Sequence, residues 1–137
     1  MKLAVIIVNY NVKYFLKQCL ESVYNSNSLE NIEVYVVDNE SKDGSVEMVA
    51  HSFPQVKLIA NKINVGFSTA NNQAIKATTA EYVLLLNPDT LVKSDTFEKV
   101  SIYPNPTEGD VSIEGLENVK TINVFSIEGK LLLTENV

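Results

Sequence analysis

The chain has 137 residues and a formal net charge of −6, from 11 Lys and Arg against 17 Asp and Glu. Its 45% hydrophobic and 20% charged residues suit one folded domain, or one small domain with an appendage, and exclude a disordered chain. An acidic balance without an Arg-rich run disfavours phosphate-backbone binding and docking on anionic lipid, so nucleic acid is not an expected partner. Cys19 is the single cysteine, which excludes an intrachain disulfide and a thiolate zinc cluster. With an apolar start too short to span a bilayer and no small-residue cleavage region, the expected location is cytoplasmic.

Residues 3–8 (Leu-Ala-Val-Ile-Ile-Val) run apolar without alternation up to Asn9-Tyr10-Asn11. Such a run predicts a strand buried on both faces, as in a parallel sheet. Val12, Phe15, Leu16, Cys19, Leu20, Val23 and Tyr24 then recur at helical spacing, with Asn11 placed to cap the helix. Tyr10, Tyr14, Phe15 and Tyr24 are expected in core or helix–sheet packing, and Cys19 as a core thiol.

Ile32–Val37 predicts a second strand, stopped by the polar run from Asp38 to Gly44. A short helix from Ser45 to about His51 follows, closed by Pro54, and then a third strand over 56–60. The lone histidine, His51, falls late in that helix, away from the strand ends, where a surface or helix-dipole role is expected. Ala70, Ala74, Ile75 and Ala77 outline a third helix, and Tyr82–Leu86 a fourth strand entering Asn87-Pro88-Asp89-Thr90.

Strand and helix alternating in this way predict an α/β fold: a Rossmann-like parallel sheet with helices on both faces, in the order 3-2-1-4. Parallel strands put their C-terminal ends on one edge, where open α/β sheets bind ligands. Asn9–Asn11, Asp38–Ser41 and Asn87–Asp89 all fall there. There is no G-x-G-x-x-G and no Walker-type loop, so dinucleotide and P-loop readings are excluded.

Near residue 100 the texture changes. Gly109, Gly115 and Gly129 fall in the last stretch, and short alternating strands (100–103, 111–114, 121–125, 130–134) are separated by turn chemistry at 104–109, Gly115 and 128–129. A small antiparallel β segment is expected over 100–137.

Several elements carry a resemblance. Val5-Ile6-Ile7-Val8-Asn9-Tyr10-Asn11, the run from Val37 through Asp38-Asn39 to Ser45, Asn61-Lys62-Ile63-Asn64-Val65-Gly66-Phe67, Ala70-Asn71-Asn72 and Leu84-Leu85-Leu86-Asn87-Pro88-Asp89 stand in order and at set spacings. Together they resemble the amino-terminal part of family 2 glycosyltransferases, in the rhamnosyltransferase-like branch. The resemblance implies a GT-A fold over 1–99, a nucleotide diphosphate sugar donor, Mg²⁺ or Mn²⁺, and inverting transfer to the hydroxyl of a glycan or lipid-linked acceptor. It gives Asp89 the metal and Asn87 the ribose or diphosphate. Asp38 receives the nucleobase or ribose, with Asn9 and Asn11 flanking the base and Asn39 beside them. Asn64, Gly66 and Asn71 open the third helix toward the nucleotide, a helix N-terminus being suited to anionic groups.

Plainer readings stand beside these. Asn-Pro-Asp is good turn chemistry, Asp38 can serve a turn before Ser41, Asn11 can cap its helix, and Asn71 can be an exposed helix amide.

Tyr103-Pro104-Asn105-Pro106-Thr107-Glu108-Gly109 and Val124-Phe125-Ser126-Ile127-Glu128-Gly129-Lys130 resemble the first half of a carboxy-terminal sorting domain of type IX secretion substrates in Bacteroidetes-like bacteria. In the transferase family the general base comes from the second half of the domain, which has no counterpart here. Glu98, Glu108 and Asp110 take no such role, the catalytic residue is unknown, and weak or absent transfer is expected. Two other readings are a non-catalytic truncated or fused scaffold, whose β tail pairs with the sheet edge or mediates homo-oligomerisation, and a secretion-tagged cargo.

Overall fold

A computed structural model describes residues 2–99, 101–103, 112–114, 121–125 and 131–136, with side chains described for 2–97. Two units divide at Phe97 and Glu98.

The first unit runs β1 (Leu3–Asn9), α1 (Lys13–Tyr24), a 3₁₀ turn (Leu29–Asn31), β2 (Ile32–Asn39), α2 (Ser45–Ser52), β3 (Lys57–Asn61), α3 (Phe67–Ala77) and β4 (Tyr82–Leu86). A short α4 (Thr96–Lys99) follows. The strands form one sheet in the order β3-β2-β1-β4, parallel throughout. This is the expected order. The register sets Asn9 opposite Asp38 and Asn39 opposite Asn61, so the polar strand ends lie side by side.

The two faces of the sheet bury different partners. Val5, Ile7, Val34 and Val36 pack with Leu16, Cys19, Leu20 and Val23 of α1 and Met48 and Val49 of α2. Ala4, Ile6, Tyr35 and Val37 pack with Ala70 and Ala74 of α3. Covered on both faces, β1 and β2 need the unbroken apolar runs seen in the sequence, because polar residues there would lose water without a partner. Small alanines on α3 let that helix approach the sheet closely.

The aromatics depart from expectation. Tyr10, Tyr14 and Phe15 are 52, 79 and 56% exposed, not core. The buried stripe of α1 is Leu16, Cys19, Leu20 and Val23, and Phe15 stands one position off it, so its helical spacing was coincidental. Tyr24 does pack, stacking on Phe53 with ring centroids 6.0 Å apart. Cys19 is fully buried; burial first, and the nearby Asp89 charge second, push its thiol up to about 11. His51 is exposed in the last turn of α2.

Asn11 does not cap α1. The cap position is Val12, without a side-chain bond, and Asn11 sits in the left-handed region at φ 52. The first-turn amide of Lys13 instead donates to Asp43 Oδ2 at 2.8 Å, a carboxylate 30 residues away in sequence. A helix end accepts any well-placed oxygen, and here the β2–α2 loop supplies it.

At the opposite ends of the strands, Glu33 takes ion pairs from Lys2 (3.0 Å) and Lys57 and a hydrogen bond from the Thr78 hydroxyl (3.0 Å). The Lys57 bond above all, with those of Lys2 and Thr78, outweighs burial and holds the Glu33 carboxyl down to about 2.

In the second unit β5 (Ser101–Tyr103) pairs antiparallel with β6 (Ser112–Glu114), and β7 (Thr121–Phe125) with β8 (Leu131–Asn136). The turns read at 104–109, Gly115 and 128–129, together with Glu108 and Asp110, lie outside the described residues. Among the described residues no helix is long and apolar enough to cross a membrane.

Candidate functional site

Asp38 is the penultimate residue of β2, with its side chain on the α1–α2 face, and is 1% exposed. Its Oδ2 accepts from Asn9 Nδ2 at 2.7 Å, and its Oδ1 from the Ser41 amide at 2.8 Å. The turn role read for Asp38 is therefore real, and the same carboxylate also anchors the end of β1. Asn9 donates its second amide hydrogen to Ser41 Oγ at 3.1 Å. Asn11 donates its backbone N–H to that oxygen at 2.8 Å, while its side-chain Oδ1 accepts from the Lys42 amide at 2.7 Å. These bonds clamp the β1–α1 loop onto the β2–α2 loop.

Asp43 completes the clamp. Burial works against its charge, but the Ser45 hydroxyl and the backbone amides of Lys13 and Ser45 win, and its carboxyl is held below the usual range. Two loops that must carry irregular backbone are thus fixed by carboxylates accepting N–H groups.

Asn87-Pro88-Asp89 follows β4 on the other side of β1. Together with Val12 and Phe15 it lines a depression of about 330 Å³, and Cys19 Sγ donates to the Asn87 carbonyl at 3.7 Å. Asn87 and Asp89 are exposed. β2 and β4 flank β1, so the ends of those two strands are roughly 10 Å apart by strand spacing, with Asp38 on one and Asp89 in the loop that follows the other. Both carboxylates belong to one rim, with the first turn of α1 between them. On the Asp38 side of that turn, Lys13, Ser41, Lys42, Gly44, Glu47 and Met48 line an open groove of about 630 Å³.

The remaining predicted residues stand on the other face. Asn39 alternates with Asp38 and turns toward α3, donating to the Gly66 carbonyl at 3.2 Å and accepting from Asn61 Nδ2 at 3.0 Å. Asn61 and Gln73 exchange amide hydrogen bonds at 2.9 Å. Asn64 Oδ1 accepts from the Gly66 amide at 2.9 Å. Gly66 has φ 83 and ψ 165, a conformation open essentially to glycine alone; a Cβ there would touch nothing within 4 Å, so backbone strain is the whole constraint. Asn71 is 4% exposed, not an exposed helix amide; its Nδ2 donates to the Phe67 carbonyl at 3.0 Å and its Oδ1 is unpartnered.

The structure therefore joins Asn9, Asn11 and Asp38 in one network, sets Asn87 and Asp89 beside them across β1, and separates Asn39, Asn64, Gly66 and Asn71 to the α3 side. Ser41, Asn61, Gln73 and Asp43 hold these groups and were not singled out. The turn signal from Asp38 to Ser41 locates Ser41 beside the carboxylate but says nothing of its bonds to Asn9 and Asn11.

Chemically, the rim offers an exposed carboxylate at Asp89 on the β4 side of α1. Among the described residues no group of three or more His, Cys, Asp or Glu could hold a metal by itself. One carboxylate fits a hard cation that brings most of its oxygen ligands as substrate phosphates and water.

A parallel sheet in the order β3-β2-β1-β4, covered by helices on both faces and with its loops clamped at the C-terminal rim, is an α/β domain of the GT-A kind. The chain belongs to glycosyl transferase family 2, whose family model matches residues 4–101. A second family model, the secretion system C-terminal sorting domain, matches residues 101–137. The minor teichoic acid biosynthesis protein GgaB of Bacillus subtilis is 31% identical over 93% of this chain. The poly(ribitol-phosphate) beta-glucosyltransferase of Bacillus spizizenii is 26% identical over 87%. The chain spans 14% and 20% of the length of these two relatives. Among solved structures, S. aureus TarS 1–349 in complex with UDP-GlcNAc superposes with a TM-score of 0.66 at 26% identity, over 72% of this chain and 29% of that one. The mannosyltransferase PcManGT of Pyrobaculum calidifontis, in complex with GDP-Man and Mn²⁺, gives 0.64 at 28% identity, over 70% and 30%.

Proposed function

We propose that the first unit is the donor-binding half of an inverting glycosyltransferase, taking a nucleotide diphosphate sugar across the C-terminal rim of its sheet. The observation carrying this reading is the pair of carboxylates, Asp38 and Asp89, on one rim and on either side of β1. The complexes of two superposable enzymes with UDP-GlcNAc and with GDP-Man and Mn²⁺ support the ligand class.

In this reading Asn9, Asn11 and Asp38 form the nucleoside corner on the β2 side of α1, the buried Asn9 and Asp38 by positioning the loop groups that face it, and Asn87 meets the ribose or diphosphate. Asn39, Asn64, Gly66 and Asn71 shape the α3 side of the nucleotide site. Asp89 would hold Mg²⁺ or Mn²⁺, which when bound spreads the negative charge of the departing diphosphate. Transfer makes a bond from the acceptor hydroxyl to the anomeric carbon and breaks the bond to the diphosphate, and the hydroxyl proton needs a base. The chain reaches only 30% of the superposed mannosyltransferase, which supports placing that base and the acceptor site outside it. Binding without efficient transfer is the expected behaviour.

Calorimetry with UDP-, GDP- and dTDP-sugars, with and without Mn²⁺, tests the reading. Metal-enhanced binding that disappears in Asp89→Ala is the expected result; no binding to any donor refutes it, and transfer to an acceptor refutes the inactivity.

A second reading, a scaffold that pairs with a second copy, is favoured by the edges of the sheet. β4 is an edge strand of five uncharged residues, Tyr82–Leu86, with Val83 39% exposed. The other edge, β3, carries Lys57 in an ion pair, a charge that discourages pairing. Size-exclusion chromatography should then show a dimer that Val83→Lys converts to monomer; a monomeric parent chain rejects this reading.

A further inference from the structure

The Ser41 hydroxyl is constrained on every side but one. Asn9 Nδ2 lies 2.7 Å from Asp38 Oδ2, and turning that amide over would bring two oxygen acceptors together, so its orientation is set by the carboxylate. Its two hydrogens go to Asp38 and to Ser41 Oγ. The Asn11 backbone N–H also donates to Ser41 Oγ, at 2.8 Å. A hydroxyl oxygen has two lone pairs and one hydrogen. Both lone pairs are taken, so Ser41 acts here only as a donor, and its O–H has no protein acceptor among the bonds described for the residue. Ser41 is half-buried and lines the groove beside Lys13 and Lys42.

Asp38, by contrast, is 1% exposed with each oxygen already accepting an N–H. The carboxylate is the organiser of this corner, and the hydroxyl is the group with a hydrogen left to give at the groove.

We infer that Ser41 is a ligand-binding residue, donating its hydroxyl hydrogen to an uncharged oxygen acceptor of the nucleoside, a base carbonyl or a ribose oxygen. This rests on the nucleotide-sugar reading of the rim. Asp38 then acts on the nucleoside through Asn9 and Ser41, by holding the hydroxyl in the orientation in which only donation remains. A ligand presenting a donor at that point would meet a hydrogen already there, so the same geometry selects acceptor over donor.

The test measures UDP, GDP and inorganic pyrophosphate binding to the full chain, Ser41→Ala and Ser41→Thr, with thermal melting and the backbone amide shifts of Asn11 and Lys42 recorded without ligand. Ser41→Ala should weaken UDP or GDP by about tenfold, the usual size of one neutral hydrogen bond. Ser41→Thr, which keeps the hydroxyl, should restore most of it, and pyrophosphate should bind all three proteins alike. Equal nucleotide binding by parent and Ser41→Ala overturns the inference and leaves the rim reading standing. Equal weakening by Ala and Thr, or a matching loss for pyrophosphate, also overturns it, assigning the effect to loop packing or to phosphate. A parent chain that binds neither nucleotide overturns both.

Discussion

The two ends of the same sheet solve the burial of polar groups in opposite ways. At the N-terminal rim, Glu33 is surrounded by Lys2, Lys57 and Thr78, so its charge meets its complement within the protein. At the C-terminal rim Asp38, Asn9 and Ser41 are tied together, yet Asn9 Oδ1 and Asn71 Oδ1 are buried without partners and Asp89 stands exposed. Buried polar groups left unpaired cost stability. A fold that closes one rim and leaves the other incomplete has the unfinished bonds where the strands of α/β sheets meet their ligands.

The largest test of this contrast is Asp38→Ala. It removes one of the two acceptors of the buried Asn9 Nδ2 and the acceptor of the Ser41 amide, so a loss of about 3 kcal/mol in urea unfolding is expected, together with nucleotide binding. Retained stability would mean that the corner is wetter than its burial implies.

At the closed rim, Glu33→Gln should cost less, about 1 kcal/mol at pH 7, because the side chains of Lys2 and Lys57 are 47% and 53% exposed and solvent screens both pairs. The sign with pH follows from the lowered carboxyl. With a folded value of about 2 against an ordinary 4.5, the contribution of Glu33 is complete above about pH 5 and is lost as pH falls toward 2. Parent and variant unfolding midpoints should therefore converge over that window. A constant gap would remove Glu33 as the cause.

The smallest effect belongs to Asp89→Ala. An exposed carboxylate outside the clamp should move the melting temperature little, within about 0.5 kcal/mol of stability, while metal-enhanced donor binding disappears. If both rims lost equal stability on removing one carboxylate, the division between a closed and an open end would fail.

Much of this was legible from the residues. The unbroken apolar runs at 3–8 and 32–37 imposed strands covered on both faces, and their alternation with helical segments imposed a parallel sheet with its polar ends on one rim. Cys19 read correctly as core, since its position agrees with the stripe of Leu16, Leu20 and Val23. Phe15 and Tyr14 did not, because helical spacing states which residues share a face but not how far the covering layer extends. Asn11 was misread for a related reason: a capping residue is recognised by its local neighbours, whereas the oxygen used by α1 comes from Asp43 and the Asn11 side chain reaches Lys42.

Chain order and hydrophobic period, being local properties, determined the element types, the strand order and the rim on which Asn9, Asp38 and Asp89 gather. Which face each polar side chain takes, that Asp38 is sealed while Ser41 is left with a hydrogen to give, and that Asn39 turns from its neighbour toward Gly66, was decided only in the folded molecule. Those outcomes depend on contacts between residues some thirty positions apart, and a hydrogen bond is assigned by distance and angle, which no spacing along the chain specifies.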